Sequence, residues 1–108
     1  PRGVTGIDPV SYLEMIQLSR HAGIIATDSG GLQKEAYFHG VPCLVLRRET
    51  EWIELVEIGA TRLVGADAKQ IAAALISPSP GISSTSIYGD GNAAGMIVDI
   101  LLNTTLLQ

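Results

Sequence analysis

The stretch TDSGGLQKEA, residues 27–36, places groups that bind anions beside a carboxylate at the start of a predicted helix. A helix N-terminus leaves backbone N–H groups unpaired and carries about half a unit of positive charge. Gly30 and Gly31 have no side chain to keep an anion from those amides, and the Ser29 hydroxyl adds one more donor. The pattern predicts a phosphate cradle. A plain N-cap with a tight turn is the alternative for the same three residues.

Glu35 extends this prediction from a phosphate to a nucleotide. It lies four residues after Gly31, so both residues share one face of the helix. Glu35 is not part of a capping box, because Leu32 holds the third position after Ser29. A carboxylate repels phosphate but accepts hydrogen bonds from a vicinal diol, so a nucleotide would place its diphosphate on the amides and its ribose on Glu35. A solvated glutamate is the alternative.

Short apolar strands and amphipathic helices that alternate along the chain must position these residues. Apolar spacing predicts helices over 11–21, 31–39, 52–58, 67–76 and 92–102, and strands over 24–26, 43–46 and 61–64. Such alternation is typical of parallel βαβ units in a doubly wound sheet, where ligands bind beyond the carboxyl ends of the strands. The predicted fold class is therefore α/β, a partial Rossmann-like parallel sheet with flanking helices.

The second half of the chain carries further boundary signals. Asp67 is the predicted N-cap of its helix, with Ile71, Ala74 and Leu75 facing inward. Residues 77–91 begin rich in proline and serine and are predicted to form a flexible connector. Residues 92–103 are predicted to form a C-terminal helix, after which the tail frays.

Composition narrows the class of protein. Hydrophobic residues make up 46% and charged residues 17% of the 108 residues, which indicates a folded globular chain. The net charge of −4 and the absence of a basic run argue against a nucleic-acid partner. No apolar run approaches the ~18–20 residues of a membrane span. Cys43, the single cysteine, is predicted to be a buried small hydrophobe and fits a reducing, cytoplasmic setting.

Several motifs together resemble one known family. TDSGGLQKEA is similar to the signature of the non-hydrolysing UDP-N-acetylglucosamine 2-epimerases, TDSGG, then Ile or Leu, then Q-x-E-A. Pro9, Tyr12 and Met15 are similar to that family's P-x-x-Y-x-x-F, with methionine in place of the aromatic residue. Residues 50–54, TEWIE, resemble its T-E-R-P-E. Further matches are GVP at 40–42, L-x-L-R at 44–47, LVG at 63–65 and YGDG at 88–91.

The resemblance implies a glycosyltransferase-B-type architecture of two Rossmann-like domains, of which residues 1–108 would be half of the second. It implies epimerisation of UDP-GlcNAc at C2 by elimination and re-addition of UDP. Because the family's acids, bases and histidine lie mainly in the first domain, no catalytic residue, metal or cofactor is assigned here, and this chain alone is expected to be inactive. The implied UDP-binding residues are Ser29, Gly30, Gly31 and Glu35, with Val10 and Met15 near the uracil and Trp52 as a further contact.

Trp52 departs from the family pattern, because it stands where T-E-R-P-E has its arginine. The exact sugar therefore stays open, and a UDP-2,3-diacetamido sugar acid is an alternative substrate. Packing of Trp52 on its own helix is an alternative to a site role. A glycosyltransferase of the same architecture and a non-catalytic nucleotide-binding module are alternative functions. The expected partners are a UDP-sugar and the missing N-terminal domain, with a homodimer left open and a role in cell-surface polysaccharide biosynthesis.

Overall fold

A parallel three-stranded sheet organises the chain in the computed structural model, which describes residues 3–77 and 87–106. Its strands are β1 (Ile25–Thr27), β2 (Cys43–Val45) and β3 (Thr61–Leu63), in the order β1-β2-β3. The register aligns Thr27 with Val45 and Val45 with Leu63, so the three strands end in one row. The loops that follow them leave the same edge of the sheet. The predicted partial Rossmann-like parallel sheet is confirmed.

Five helices accompany the sheet in the described part of the chain. They are α1 (Tyr12–His21), α2 (Gly30–His39), α3 (Ile53–Glu57), α4 (Ala68–Ile76) and α5 (Ala93–Leu106). The first four begin and end within one residue of the predicted bounds. The fifth runs on to Leu106 instead of ending near residue 103, because the tail contains no proline or glycine to stop it.

Local capping explains several of these boundaries. Asp67 caps α4 as predicted, since its carboxylate accepts a hydrogen bond from the Lys69 amide at 2.8 Å. Gly40 ends α2 with a φ of 71°, a left-handed conformation that favours glycine. Ser11 and Glu14 form a capping box at the start of α1, with bonds of 3.2 and 3.3 Å. The S-x-x-E spacing signals this box, and the sequence analysis missed it.

The core packs on both faces of the sheet. On one face lie buried Ile25, Ala36, Val41, Cys43 and Val45. On the other, Leu44 and Val64 meet Ala74 of α4. Cys43 is 2% exposed, so the predicted buried small hydrophobe is confirmed, and this burial raises the pKa of its thiol from 9.0 to about 11.

Apolar side chains on α4 and α5 are among those that remain outside this core. Leu75 was predicted to face inward but is 45% exposed, because Ala74 and Ile71 already fill the contact between α4 and the sheet. Helix α5 exposes its apolar residues, among them Met96, Ile97, Ile100 and Leu101. None of the helices in residues 3–77 and 87–106 combines the length and apolar content needed to cross a membrane.

The predicted connector is only partly covered by the structure, since residues 78–86 lie outside the described residues. Its described end is held against the core. The Tyr88 ring packs edge-on against Tyr37 of α2, with ring centroids 5.9 Å apart. Tyr88 thereby brings the start of the last segment next to α2.

Candidate functional site

The candidate site begins where β1 passes into α2. Thr27, the last residue of β1, accepts a hydrogen bond on its Oγ1 from the Ser29 amide at 3.0 Å. Ser29 is the N-cap of α2, and its Oγ accepts from the Leu32 amide at 3.3 Å. The hydroxyl was predicted as an extra donor, and within the chain it acts as an acceptor. Among the residues that the structure describes, no acceptor takes the hydroxyl's own hydrogen, so the cap and a ligand contact are compatible.

An open cleft of about 390 Å³ lies beside this helix start. Its walls come from α1 and α2, namely Tyr12, Met15, Ser29, Gly31, Leu32 and Glu35. The volume lies within the range of small-molecule sites, roughly 300–1,000 Å³. Four of the predicted UDP-binding residues therefore line one cleft, although Met15 belongs to a different helix from the other three.

Glu35 supplies the carboxylate of this cleft. The Tyr12 hydroxyl donates a hydrogen bond to Glu35 Oε1 at 3.4 Å, and His39 Nε2 lies 3.7 Å from Oε2. Glu35 is only partly exposed, so its direction is set by these neighbours while it still faces the opening. Tyr12 was not among the predicted contacts, although it lies three residues before Met15 on the same face of α1.

The two glycines at the start of α2 have different surroundings. A Cβ on Gly30 would collide with the Glu51 carboxylate and lie 3.2 Å from Trp52 Nε1. A Cβ on Gly31 would meet only Ser29 Oγ, at 3.9 Å. A side chain at position 30 would displace the exposed end of Glu51 and press on the Trp52 indole, whereas the missing side chain at position 31 leaves room beside the cleft.

Gly30, Trp52 and Val10 do not line the cleft. The Trp52 indole donates from Nε1 to the Gly30 carbonyl at 3.0 Å, so it packs on the first turn of α2, and it makes no capping hydrogen bond to α3. Val10 is half-buried and directly precedes the Ser11 cap of α1. Over residues 3–77 and 87–106, no three His, Cys, Asp or Glu side chains gather as a metal site requires.

Comparison with known proteins identifies the family. The family model described as UDP-N-acetylglucosamine 2-epimerase matches residues 2–102. The chain belongs to this family. The resemblance inferred from the TDSGG signature and its accompanying motifs is thus confirmed.

Two relatives and one solved structure illustrate the range of this epimerase family. The chain is 48% identical over 97 residues to a UDP-2,3-diacetamido-2,3-dideoxy-D-glucuronate 2-epimerase of Pseudomonas aeruginosa, covering 88% of this chain. It is 46% identical over 98 residues to a UDP-N-acetylglucosamine 2-epimerase homolog of Methanococcus maripaludis, covering 90% of this chain. A UDP-GlcNAc 2-epimerase of Methanocaldococcus jannaschii, solved in complex with UDP-GlcNAc and UDP, superposes with a TM-score of 0.73 at 38% identity.

The match covers only part of these proteins. The chain spans 27% and 28% of the length of the two curated relatives. For the M. jannaschii structure, the match covers 90% of this chain and 27% of that one. The chain thus corresponds to about a quarter of a family member.

Proposed function

We propose that this chain is the UDP-binding C-terminal portion of a UDP-sugar 2-epimerase that interconverts UDP-GlcNAc and UDP-ManNAc. The observation that carries the proposal is the cleft in which Ser29, Gly31 and Glu35 lie together. The family match and the similarity to an epimerase solved with UDP-GlcNAc and UDP support it. Membership of an epimerase family also favours epimerisation over glycosyl transfer.

In this proposal the diphosphate binds the start of α2. Elimination builds negative charge on the departing UDP, and oriented N–H dipoles stabilise that charge without reorganising. The amides of Gly30 and Gly31 and the Ser29 hydroxyl supply those dipoles. Helix α2 has no acidic residue in its first turn, and the Glu51 carboxylate that lies against Gly30 is paired with Arg47 at 3.1 Å.

The nucleoside lies further along the same cleft. Glu35 accepts hydrogen bonds from the ribose diol, and the Tyr12 hydroxyl holds one of its oxygens. Met15 covers one face of the uracil with its polarizable thioether. Val10 lies outside the cleft lining, just before the Ser11 cap of α1, and in this proposal it offers only its backbone to the uracil.

The experiment that tests this proposal compares the 108-residue chain with the complete protein that carries it. In a coupled assay on UDP-GlcNAc, we expect turnover by the complete protein and none by this chain alone, because the groups acting at C2 lie elsewhere. Turnover by the isolated chain would contradict the proposal that the groups acting at C2 lie in the rest of the complete protein. Saturable UDP binding without turnover of any UDP-sugar would indicate a non-catalytic module, and transfer of the sugar to an acceptor would indicate a glycosyltransferase.

A second candidate substrate is a UDP-2,3-diacetamido sugar acid. The 48% identity to the Pseudomonas aeruginosa enzyme favours it, and so does Trp52 in place of the arginine of the family motif. Measuring kcat/KM of the complete protein on both UDP-sugars decides between them. If kcat/KM for the UDP-diacetamido sugar acid is well above kcat/KM for UDP-GlcNAc, the diacetamido sugar acid is the substrate instead of UDP-GlcNAc.

The remaining parts of the proposal concern the setting of the enzyme. The N-terminal domain of the same protein completes the active site, and two copies form a homodimer. The enzyme works in the cytoplasm and supplies precursors for cell-surface polysaccharide. Light scattering of the complete protein tests the dimer, and fractionation of cells that express it tests the location.

A further inference from the structure

Two tethers attach Trp52 to α2, although Trp52 precedes a different helix. Its indole Nε1–H donates to the Gly30 carbonyl at 3.0 Å. Its backbone N–H donates to Thr50 Oγ1 at 3.1 Å, and the Thr50 hydroxyl donates to Gln33 Oε1 at 2.7 Å. Gln33 is fully buried, so the second tether ends in the fixed interior of the domain.

Aromatic packing completes this arrangement around a cation. Lys34 Nζ lies 4.4 Å from the centroid of the Trp52 ring and 4.5 Å from that of Tyr88. The rings of Trp52 and Tyr88 meet edge-on with centroids 6.1 Å apart. Both distances from Lys34 fall within the reach of cation–π attraction. The ammonium is therefore held by two rings on the side of α2 that bears Gly30.

We propose that Trp52 is a positioning residue for the diphosphate end of the site and that it acts without touching the ligand. This inference rests on the proposed function, since it concerns how the UDP site is held. It differs from a ligand contact because Trp52 does not line the cleft and its polar hydrogen is already used by Gly30.

The physical reason lies in the first turn of a helix. Helix ends fray because their first residues lack intrahelical partners for their N–H groups. Oriented amides stabilise an anion only while the turn that carries them is ordered. The bond from the indole to the Gly30 carbonyl fixes the peptide between Gly30 and Gly31, whose N–H belongs to Gly31. Trp52 thereby sets the direction of an amide that faces the anion.

The test is Trp52→Phe in the complete protein, with affinities for UDP measured by calorimetry and for uridine by NMR titration. Phenylalanine keeps an aromatic ring beside Lys34 and loses the N–H donor. One hydrogen bond corresponds to roughly a threefold to tenfold change. We expect UDP binding to weaken by about that factor and uridine binding to stay unchanged, because uridine has no phosphate. The amide shift of Gly31 should move in the free variant.

A second variant interrupts the other tether and has a matched control. Thr50→Val removes the hydroxyl that joins Gln33 to the Trp52 amide, so it should also weaken UDP binding selectively. Thr61→Val removes a buried hydroxyl for which the described residues offer no hydrogen-bond partner, so UDP binding should not change.

The outcomes separate the inference from the proposed function. If the unaltered protein does not bind UDP, the proposed function fails. If it binds UDP and Trp52→Phe binds equally well, only the positioning role is overturned. Equal losses for UDP and uridine would also overturn it, since they would indicate general loss of the folded state.

Discussion

Helix α2 has two sides that are built in different ways. The open side carries Gly31 and Glu35 and faces the cleft. The packed side carries Gly30 and Lys34 and is covered by the Trp52 indole. Both pairs have a spacing of four residues, and a shift of one residue turns the direction by about 100°. Adjacent residues within one helical turn therefore face different surroundings, Gly31 beside the cleft and Gly30 beside the Trp52 indole.

The largest expected effect is on the free energy of unfolding, when a buried residue on the packed side of α2 and its exposed neighbour are each truncated. Tyr37 is 3% exposed beside Leu55, whereas Phe38, the next residue, is 56% exposed. Tyr37→Ala should lower the free energy of unfolding by about 3–5 kcal/mol, as for other buried aromatic truncations. Phe38→Ala should cost about 1 kcal/mol or less. Urea unfolding of both variants measures this, and equal losses would mean that the packed side is not distinct.

The next effect concerns the open side. Glu35→Ala should weaken UDP binding roughly tenfold to a hundredfold, since a hydrogen bond to a charged acceptor is worth ~1.5–3 kcal/mol. The same change should have little effect on 2′,3′-dideoxy-UDP, which lacks the diol. Calorimetry with both nucleotides and both proteins forms a double-mutant cycle. Equal losses for the two nucleotides would mean that Glu35 acts through helix stability or general electrostatics instead.

Substitution of Gly30 and of Gly31 should separate the effects of the two sides on stability and on UDP binding. Gly30→Val places a branched side chain against the Trp52 indole, while the exposed Glu51 side chain can move away, so the change should cost about 1 kcal/mol of stability, the low end of overpacking effects. Gly31→Val points into open space and should leave stability within about 0.5 kcal/mol. It should nevertheless weaken UDP binding by obstructing the amides. Thermal unfolding and UDP titration of each variant check both statements, and a stable Gly30→Val protein would contradict the packing argument.

The smallest expected effect lies at the contact across the cleft. Tyr12→Phe removes the hydroxyl that donates to Glu35 at 3.4 Å, an exposed and long hydrogen bond. We expect UDP affinity to fall by about threefold or less. In a Glu35→Ala background the same change should have no further effect. A full additional loss there would show that the Tyr12 hydroxyl contacts the ligand independently of Glu35.

Local spacing was sufficient to predict much of the fold and the common helix face of Gly31 and Glu35. The parallel sheet follows from the alternation of short apolar strands and helices along the chain. The caps at Ser29 and Asp67 and the shared face of Gly31 and Glu35 depend instead on residues a few positions apart. The Ser11 capping box depends on the same kind of signal and was overlooked.

The packed side could not be predicted in this way. Contact between Gly30 and Trp52 depends on how α3 lies against α2, and contact between Lys34 and Tyr88 depends on the return of a later segment. A sequence pattern gives each residue its own helix face but not the neighbour across from it. For the same reason, the contact between Gly30 and the Trp52 indole was not predicted.

The position of Tyr88 in the chain has a consequence for the order of folding. Tyr88 reaches Lys34 only after β2, α3, β3 and α4 have been added to the growing polypeptide. Synthesis proceeds at roughly 5–20 residues per second, and contacts between distant residues form late because loop closure costs entropy. In a nascent chain that ends before Tyr88, the start of α2 is already present, but Lys34 lacks the Tyr88 ring as a neighbour. Emission from Trp52, the single tryptophan in the 108 residues, should report that final closure separately from formation of the sheet.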